Sequence, residues 1–162
     1  MPEAGAGAGP PGPTPPTLAF GFDYGERRIG LAAGDTLTGG ARPLGVIAAS
    51  GGHPDWPALT RYFRDYEPTV LVVGVPYNMD GTPGRLTEAA LGFAAELARR
   101  FRCEVVTVDE RLSSREAADQ LRGKRASGGH PRRIRPGEVD SAAACVLLEQ
   151  WLRERARAAP NE

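Results

Sequence analysis

The hydrophobic patterning of this 162-residue chain predicts an α/β fold built on one mixed sheet. Short apolar runs broken by glycine-containing turns fill the first third, the mark of an antiparallel meander. Residues 69–75 form a continuous valine-rich run, too short for a helix, as expected of a strand buried on both faces. Between that run and a second at 104–108 lies a helix-periodic segment, and strand, helix, strand makes a parallel crossover that is right-handed by rule.

Composition narrows the class. Residues 1–17 are almost wholly Gly, Ala and Pro, can bury nothing, and are expected to be a disordered leader. Residues 18–154 are expected to form one folded domain, and 155–162 a flexible tail. Lysine plus arginine equals aspartate plus glutamate at 20 each, so any nucleic-acid partner must be met by a local patch rather than a global field. Cys103 and Cys145 stand far apart without metal-ligand spacing, which suits free thiols in a reducing compartment. There is no apolar run of membrane-spanning length and no secretory signal, so the expectation is a cytoplasmic protein without a membrane partner.

The elements follow in order. Leu18–Phe22 reads as a strand ending in Asp23, and after a turn carrying Gly25, Arg27 and Arg28 a second strand runs over Ile29–Ala33. A third is expected over Leu44–Ala48, completing the meander. Trp56, Leu59, Tyr62, Phe63 and Tyr66 share one helical face, and Glu67-Pro68 ends that helix. Beyond the 69–75 strand lies the loop Pro76–Gly84. A helix over Arg85–Phe101 follows, its apolar residues Leu86, Ala89, Ala90, Phe93, Ala94, Leu97 and Phe101 at helical spacing. The Glu104–Val108 strand delivers Asp109 and Glu110. Ser113 with Glu116 makes a capping box, so a helix is expected over Ser114–Leu121. Gly123–Gly137, basic and full of breakers, reads as a mobile loop, and a last helix is expected from about Glu138, with Val139, Ala142, Ala143, Val146, Leu147 and Trp151 on one stripe.

Three acids now hold comparable places: Asp23 at the end of the first strand, Glu110 at the end of the last, and Asp140 in the first turn of the last helix. Ligands gather at the carboxyl edge of such sheets. Two of them also have a plainer reading, Asp23 as a turn cap and Asp140 as a partner of the helix dipole. Together they fit a better-defined chemistry. Converging carboxylates repel unless divalent cations sit between them, and Mg²⁺ or Mn²⁺ takes hard oxygen ligands with positions left for water and phosphate. Two such ions about 4 Å apart can activate water and stabilise the leaving oxygen in phosphodiester hydrolysis.

Four segments carry a resemblance: Asp-Tyr-Gly-Glu-Arg-Arg-Ile-Gly-Leu-Ala (23–32), Val-Gly-Val-Pro-Tyr-Asn-Met-Asp-Gly-Thr-Pro-Gly (73–84), Asp-Glu-Arg-Leu-Ser-Ser (109–114) and Val-Asp-Ser-Ala-Ala-Ala (139–144). In this order they resemble the blocks of the YqgF/RuvX family, bacterial ribonuclease H-like proteins described as pre-16S rRNA nucleases or Holliday junction resolvases. The resemblance covers residues 18–154 and implies five strands in the order 3-2-1-4-5 flanked by helices. It implies that Asp23, Glu110 and Asp140 are the catalytic acids and metal ligands. Alternation along a strand says only that Asp109 and Glu110 cannot both face one metal; the resemblance selects Glu110. Arg27 stands where many members carry lysine, and the 123–137 stretch has less lysine and more Gly, His and Pro than the family pattern.

Around the acids, Arg28 is a candidate for phosphate contact or for an ion pair with a nearby carboxylate, and Asn78 and Asp80 for substrate contact or a turn role. Gly25 and Gly30 suit a turn and a close backbone approach. Lys124, Arg125, Arg132, Arg133 and Arg135, placed just before Asp140, are candidates for holding a phosphate backbone, while His130 is a proton shuttle or incidental and His53 is assigned no role. The expected activity is metal-dependent endonucleolytic cleavage of structured RNA or branched DNA, with a homodimer suited to a symmetric junction. Two other readings share the fold: a non-catalytic nucleic-acid-binding module, which would gain nothing from clustered acids, and an actin-like nucleotide phosphotransferase, for which one domain is too few.

Overall fold

A computed structural model describes residues 17–109 and 136–158, with side chains of the last helix described over 140–157. The leader up to residue 16, the expected 114–121 helix, the 123–135 part of the basic loop and residues 159–162 lie outside the described residues. Strands β1 (Leu18–Asp23), β2 (Arg28–Asp35) and β3 (Ala41–Ser50) form the meander. They are followed by β4 (His53–Pro54), α1 (Trp56–Tyr66), β5 (Val70–Val75), α2 (Arg85–Phe101), β6 (Glu104–Asp109) and α3 (Pro136–Ala158).

The sheet order is β4-β3-β2-β1-β5-β6. β1 pairs antiparallel with β2 and parallel with β5, and β5 pairs parallel with β6. The five long strands therefore keep the expected order. The sheet nevertheless has six strands, because His53–Pro54 folds back on Ala49 and Ser50 at the far edge. A two-residue strand has no periodicity to read, and it leaves His53 at the sheet margin. β3 is also longer than its apolar run, since ladder bonding to β2 continues through polar positions.

Local chemistry sets the helix ends. Asp55 caps α1 by accepting from the Ala58 amide at 3.1 Å, and the helix closes at Glu67, left-handed at φ 52°, before Pro68. At the start of α2 the Thr87 hydroxyl accepts from the Gly84 amide at 2.8 Å and donates to the Pro76 carbonyl, tying the helix to the end of β5. α3 begins at Pro136, inside the stretch read as loop; proline is tolerated in a first turn, where its missing N–H has no intrahelical partner. It runs on to Ala158, into the stretch expected as tail, and Arg155 lies over the Trp151 ring at 5.1 Å.

The sheet carries a core on each face. On one, Phe20, Phe22, Ile29, Leu31, Leu71 and Val73 pack with Leu59 and Phe63 of α1 and Phe93 and Leu97 of α2. On the other, Ala19, Ala32, Val70 and Val72 meet Ala144, Leu147, Leu148 and Leu152 of α3. Both cysteines are half-buried and neither forms a disulfide, and burial pushes the Cys103 thiol above its ordinary pKa. Among the described residues no helix is long and apolar enough to cross a membrane.

Candidate active site

Alternation along β1 places Ala19, Gly21 and Asp23 on the α3 face and Phe20 and Phe22 on the other. Register then sets the neighbours of Asp23: Gly30 of β2 on one side and Gly74 of β5 on the other, with Val108 of β6 beyond. The half-buried carboxylate thus stands between two positions that carry no side chain.

Asp140 comes to the same place from α3. A Cβ built on Gly30 would lie 2.0 Å from the Asp140 carbonyl oxygen and 2.9 Å from the Ser141 nitrogen, so the helix backbone rests directly on β2 opposite Asp23. The Asp140 carboxylate accepts a hydrogen bond from Nε of Arg28 at 2.8 Å. Arg28 shares the α3 face of β2 with Gly30, two positions along the strand. The two side chains are 47% and 25% exposed, so this pair contributes at most about 1 kcal/mol to stability and serves chiefly to orient the carboxylate. Of the alternatives open for Arg28, the structure shows the ion pair.

The other candidates divide. Val106 and Val108 face the α3 side, so Asp109 points to the opposite face, away from Asp23 and Asp140. Glu110, Lys124, Arg125, Arg132, Arg133 and Arg135 lie outside the described residues. Asn78 is exposed and its amide donates to Thr82 Oγ1 at 3.0 Å. Asp80 accepts from the Thr82 amide and hydroxyl at 3.0 and 2.7 Å, so both residues close their own loop. No local pattern signals the two-pronged bond from Arg85 to Glu26 at 2.9 and 3.2 Å, which joins the turn after β1 to α2. Beside it, burial first and the Glu26 charge second raise the pKa of the Tyr24 phenol. Gly74 was also missed; a glycine inside a buried valine run was the available signal.

Asp23 and Asp140 offer only oxygen donors, and at Gly30 the helix that carries one lies directly against the strand partner of the other, a donor set that fits a hard divalent cation. Among the described residues no three Asp, Glu, His or Cys side chains form a metal cluster.

The sequence profile of the RuvX Holliday junction resolvase family matches residues 17–154. An Azotobacter vinelandii protein with the provisional name pre-16S rRNA nuclease is 46% identical over 140 residues, covering 86% of this chain and 96% of its own. An Edwardsiella ictaluri protein of the same provisional name is 42% identical over 142 residues, covering 88% and 99%. Among solved structures, T. thermophilus RuvC in complex with a Holliday junction substrate matches with a TM-score of 0.52 at 18% identity, over 86% of this chain and 96% of that one. The yeast mitochondrial Holliday junction resolvase Ydc2 matches with a TM-score of 0.52 at 9% identity, over 87% and 80%. At such identities the likeness is one of fold.

Proposed function

Because the chain belongs to the RuvX family of Holliday junction resolvases, we propose that its chemistry is carried by Asp23, Asp140 and Glu110, acting with Mg²⁺ or Mn²⁺ on structured nucleic acid. Family membership makes the protein a phosphodiester hydrolase that acts on nucleic acid and depends on a divalent metal. The observation that carries the residue assignment is the seating of Asp140 over Gly30, the cross-strand partner of Asp23. Asp109 faces away, which supports the choice of its neighbour Glu110 as the acid of that pair.

In this reading Asp23, Asp140 and Glu110 hold the cations. When bound, these supply the Lewis acidity that makes water a nucleophile at neutral pH and neutralises the departing oxygen. Everything else falls to the chain. Arg28 fixes the Asp140 carboxylate through Nε and keeps the terminal nitrogens of its guanidinium for phosphate oxygens. Asn78 acts by shaping the loop after β5, its amide being taken by Thr82. Lys124, Arg125, Arg132, Arg133 and Arg135 precede Asp140 in sequence and supply cationic contacts to the backbone of the strand being cut.

The substrate reading is precursor 16S rRNA, branched DNA, or both, since each presents the same phosphodiester; a two-fold homodimer would serve a symmetric junction. The test is cleavage of a labelled four-way DNA junction and a precursor-rRNA fragment, with Mg²⁺ or Mn²⁺, by the native protein and Asp23→Asn. Metal-dependent cutting lost in Asp23→Asn is expected, and the substrate cut names the strand type. Binding of both without cutting of either would replace this reading with a non-catalytic binding module.

A further inference from the structure

Three glycines on the α3 side of the sheet lie tight against their neighbours. At Gly21 an added Cβ would stand 2.9 Å from the Ala144 carbonyl oxygen and 2.9 Å from the Leu148 Cβ. At Gly34 the nearest contacts would be Gly40 oxygen at 2.7 Å and the Ala41 and Leu152 side chains, each at 3.1 Å. At Gly30 they would be the Asp140 carbonyl oxygen and carbon at 2.0 and 2.3 Å.

Carbon approaches oxygen to about 3.3 Å and carbon to about 3.5 Å, so Gly21 needs a shift of about 0.6 Å while Gly30 needs about 1.3 Å. At both the obstacle is fixed to the helix backbone and has no rotamer to yield, so the size of the displacement is what separates them. Gly30 is also the only one of the three that is both the register partner of Asp23 and the seat of Asp140. A retreat of the helix there lengthens the distance between the two acids.

Resting on the function proposed above, we propose that Gly30 is a positioning residue: its missing side chain sets the separation of Asp23 and Asp140 and so tunes the divalent-cation site they form. Productive sites hold their groups to within about 0.5 Å, and ligand distances tolerate about 0.2 Å, so the displacement caused by one methyl group exceeds both. The Arg28 bond to Asp140 adds a second constraint from the same strand, because Arg28 stays with β2 when the helix is pushed off it.

The test is binding of Mn²⁺ alone, read from the free-ion EPR signal, to the full-length native protein, Gly30→Ala, Gly21→Ala and Asp140→Glu. Gly30→Ala is expected to weaken binding by about tenfold or more, a loss of the size seen when groups that orient metal ligands are removed. Gly21→Ala, under the same helix, is expected to stay within about threefold of the native protein. Asp140→Glu lengthens the acid against a helix held in place and is expected to lose about tenfold, and Gly30→Ala with Asp140→Glu to recover part of the loss. Native affinity in Gly30→Ala, or an equal loss in Gly21→Ala, overturns the proposal. Should Gly30→Ala not fold, native affinity in Asp140→Glu overturns it instead. A native protein that binds no Mn²⁺ overturns the functional reading beneath it, which separates the two failures.

Discussion

On the face covered by α1 and α2, β1 sends Phe20 and Phe22 into a set of interlocking rings, with Phe20 edge-on to Phe63 at 5.3 Å and Phe22 edge-on to Phe93 at 5.5 Å. On the face covered by α3 the same strand presents Ala19, Gly21 and Asp23. The two faces share a backbone and differ in what they do with space. Large rings bury much apolar area each and hold their helices at a distance. Small residues let a helix come down onto the sheet until backbone touches backbone, as Asp140 does at Gly30. The aromatic face therefore stores stability, and the thinned face brings the backbone of Asp140 against the strand partner of Asp23, an arrangement that a larger residue at Gly30 would prevent.

The separation can be broken from either side. Phe20 is fully buried, and Phe20→Ala is expected to cost about 3–5 kcal/mol, or roughly 10 °C of melting temperature for a domain of this size. Below its own melting point the variant should still cut; loss of cleavage in a protein that circular dichroism shows to be folded would mean the faces are not independent. Gly21→Ala intrudes on α3 away from the acids and is expected to cost about 1–3 kcal/mol, again with cleavage retained.

The smallest effect is electrostatic and belongs to the aromatic side. On α2 the Glu96 carboxylate is held below its ordinary pKa, first by its hydrogen bond from Arg100 at 2.8 Å and then by Arg99. Arg100 in turn lies over the Trp56 ring at 4.1 Å. A depressed folded-state pKa stabilises above the unfolded value and is lost as pH falls through the folded one. Glu96→Gln should therefore melt slightly below the native protein at about pH 7, and the two curves should converge once the Glu96 carboxylate is protonated in both states. A gap that persists on acidification would show that packing, not charge, sets it.

What sequence alone revealed follows the same division. The bounds of α2, Arg85–Phe101, were legible because a long amphipathic helix repeats its pattern many times over. Asp23 was legible as an acid at the end of an apolar run, and Gly30 as a close-approach residue. The Arg28 to Asp140 bond joins residues 112 positions apart, and no local period reports a contact of that range. β4 was too short to read, and Asp109 could be set aside only after Val106 and Val108 had been placed on the α3 side. The glycine at position 74 was hidden by its neighbours, since an apolar run reads as buried whether or not one position is empty.

The most direct test of this division is the melting temperature of Asp23→Asn, taken on the preparation assayed for cleavage with Mn²⁺. Asparagine keeps the shape of the side chain and removes the charge that sites of this kind use to hold a cation. The expected result is a melting temperature within about 2 °C of the native protein, or above it, with cleavage down at least about a hundredfold. Cleavage that survives, or melting that falls as far as in Phe20→Ala, would contradict the assignment of chemistry to one face of the sheet and stability to the other.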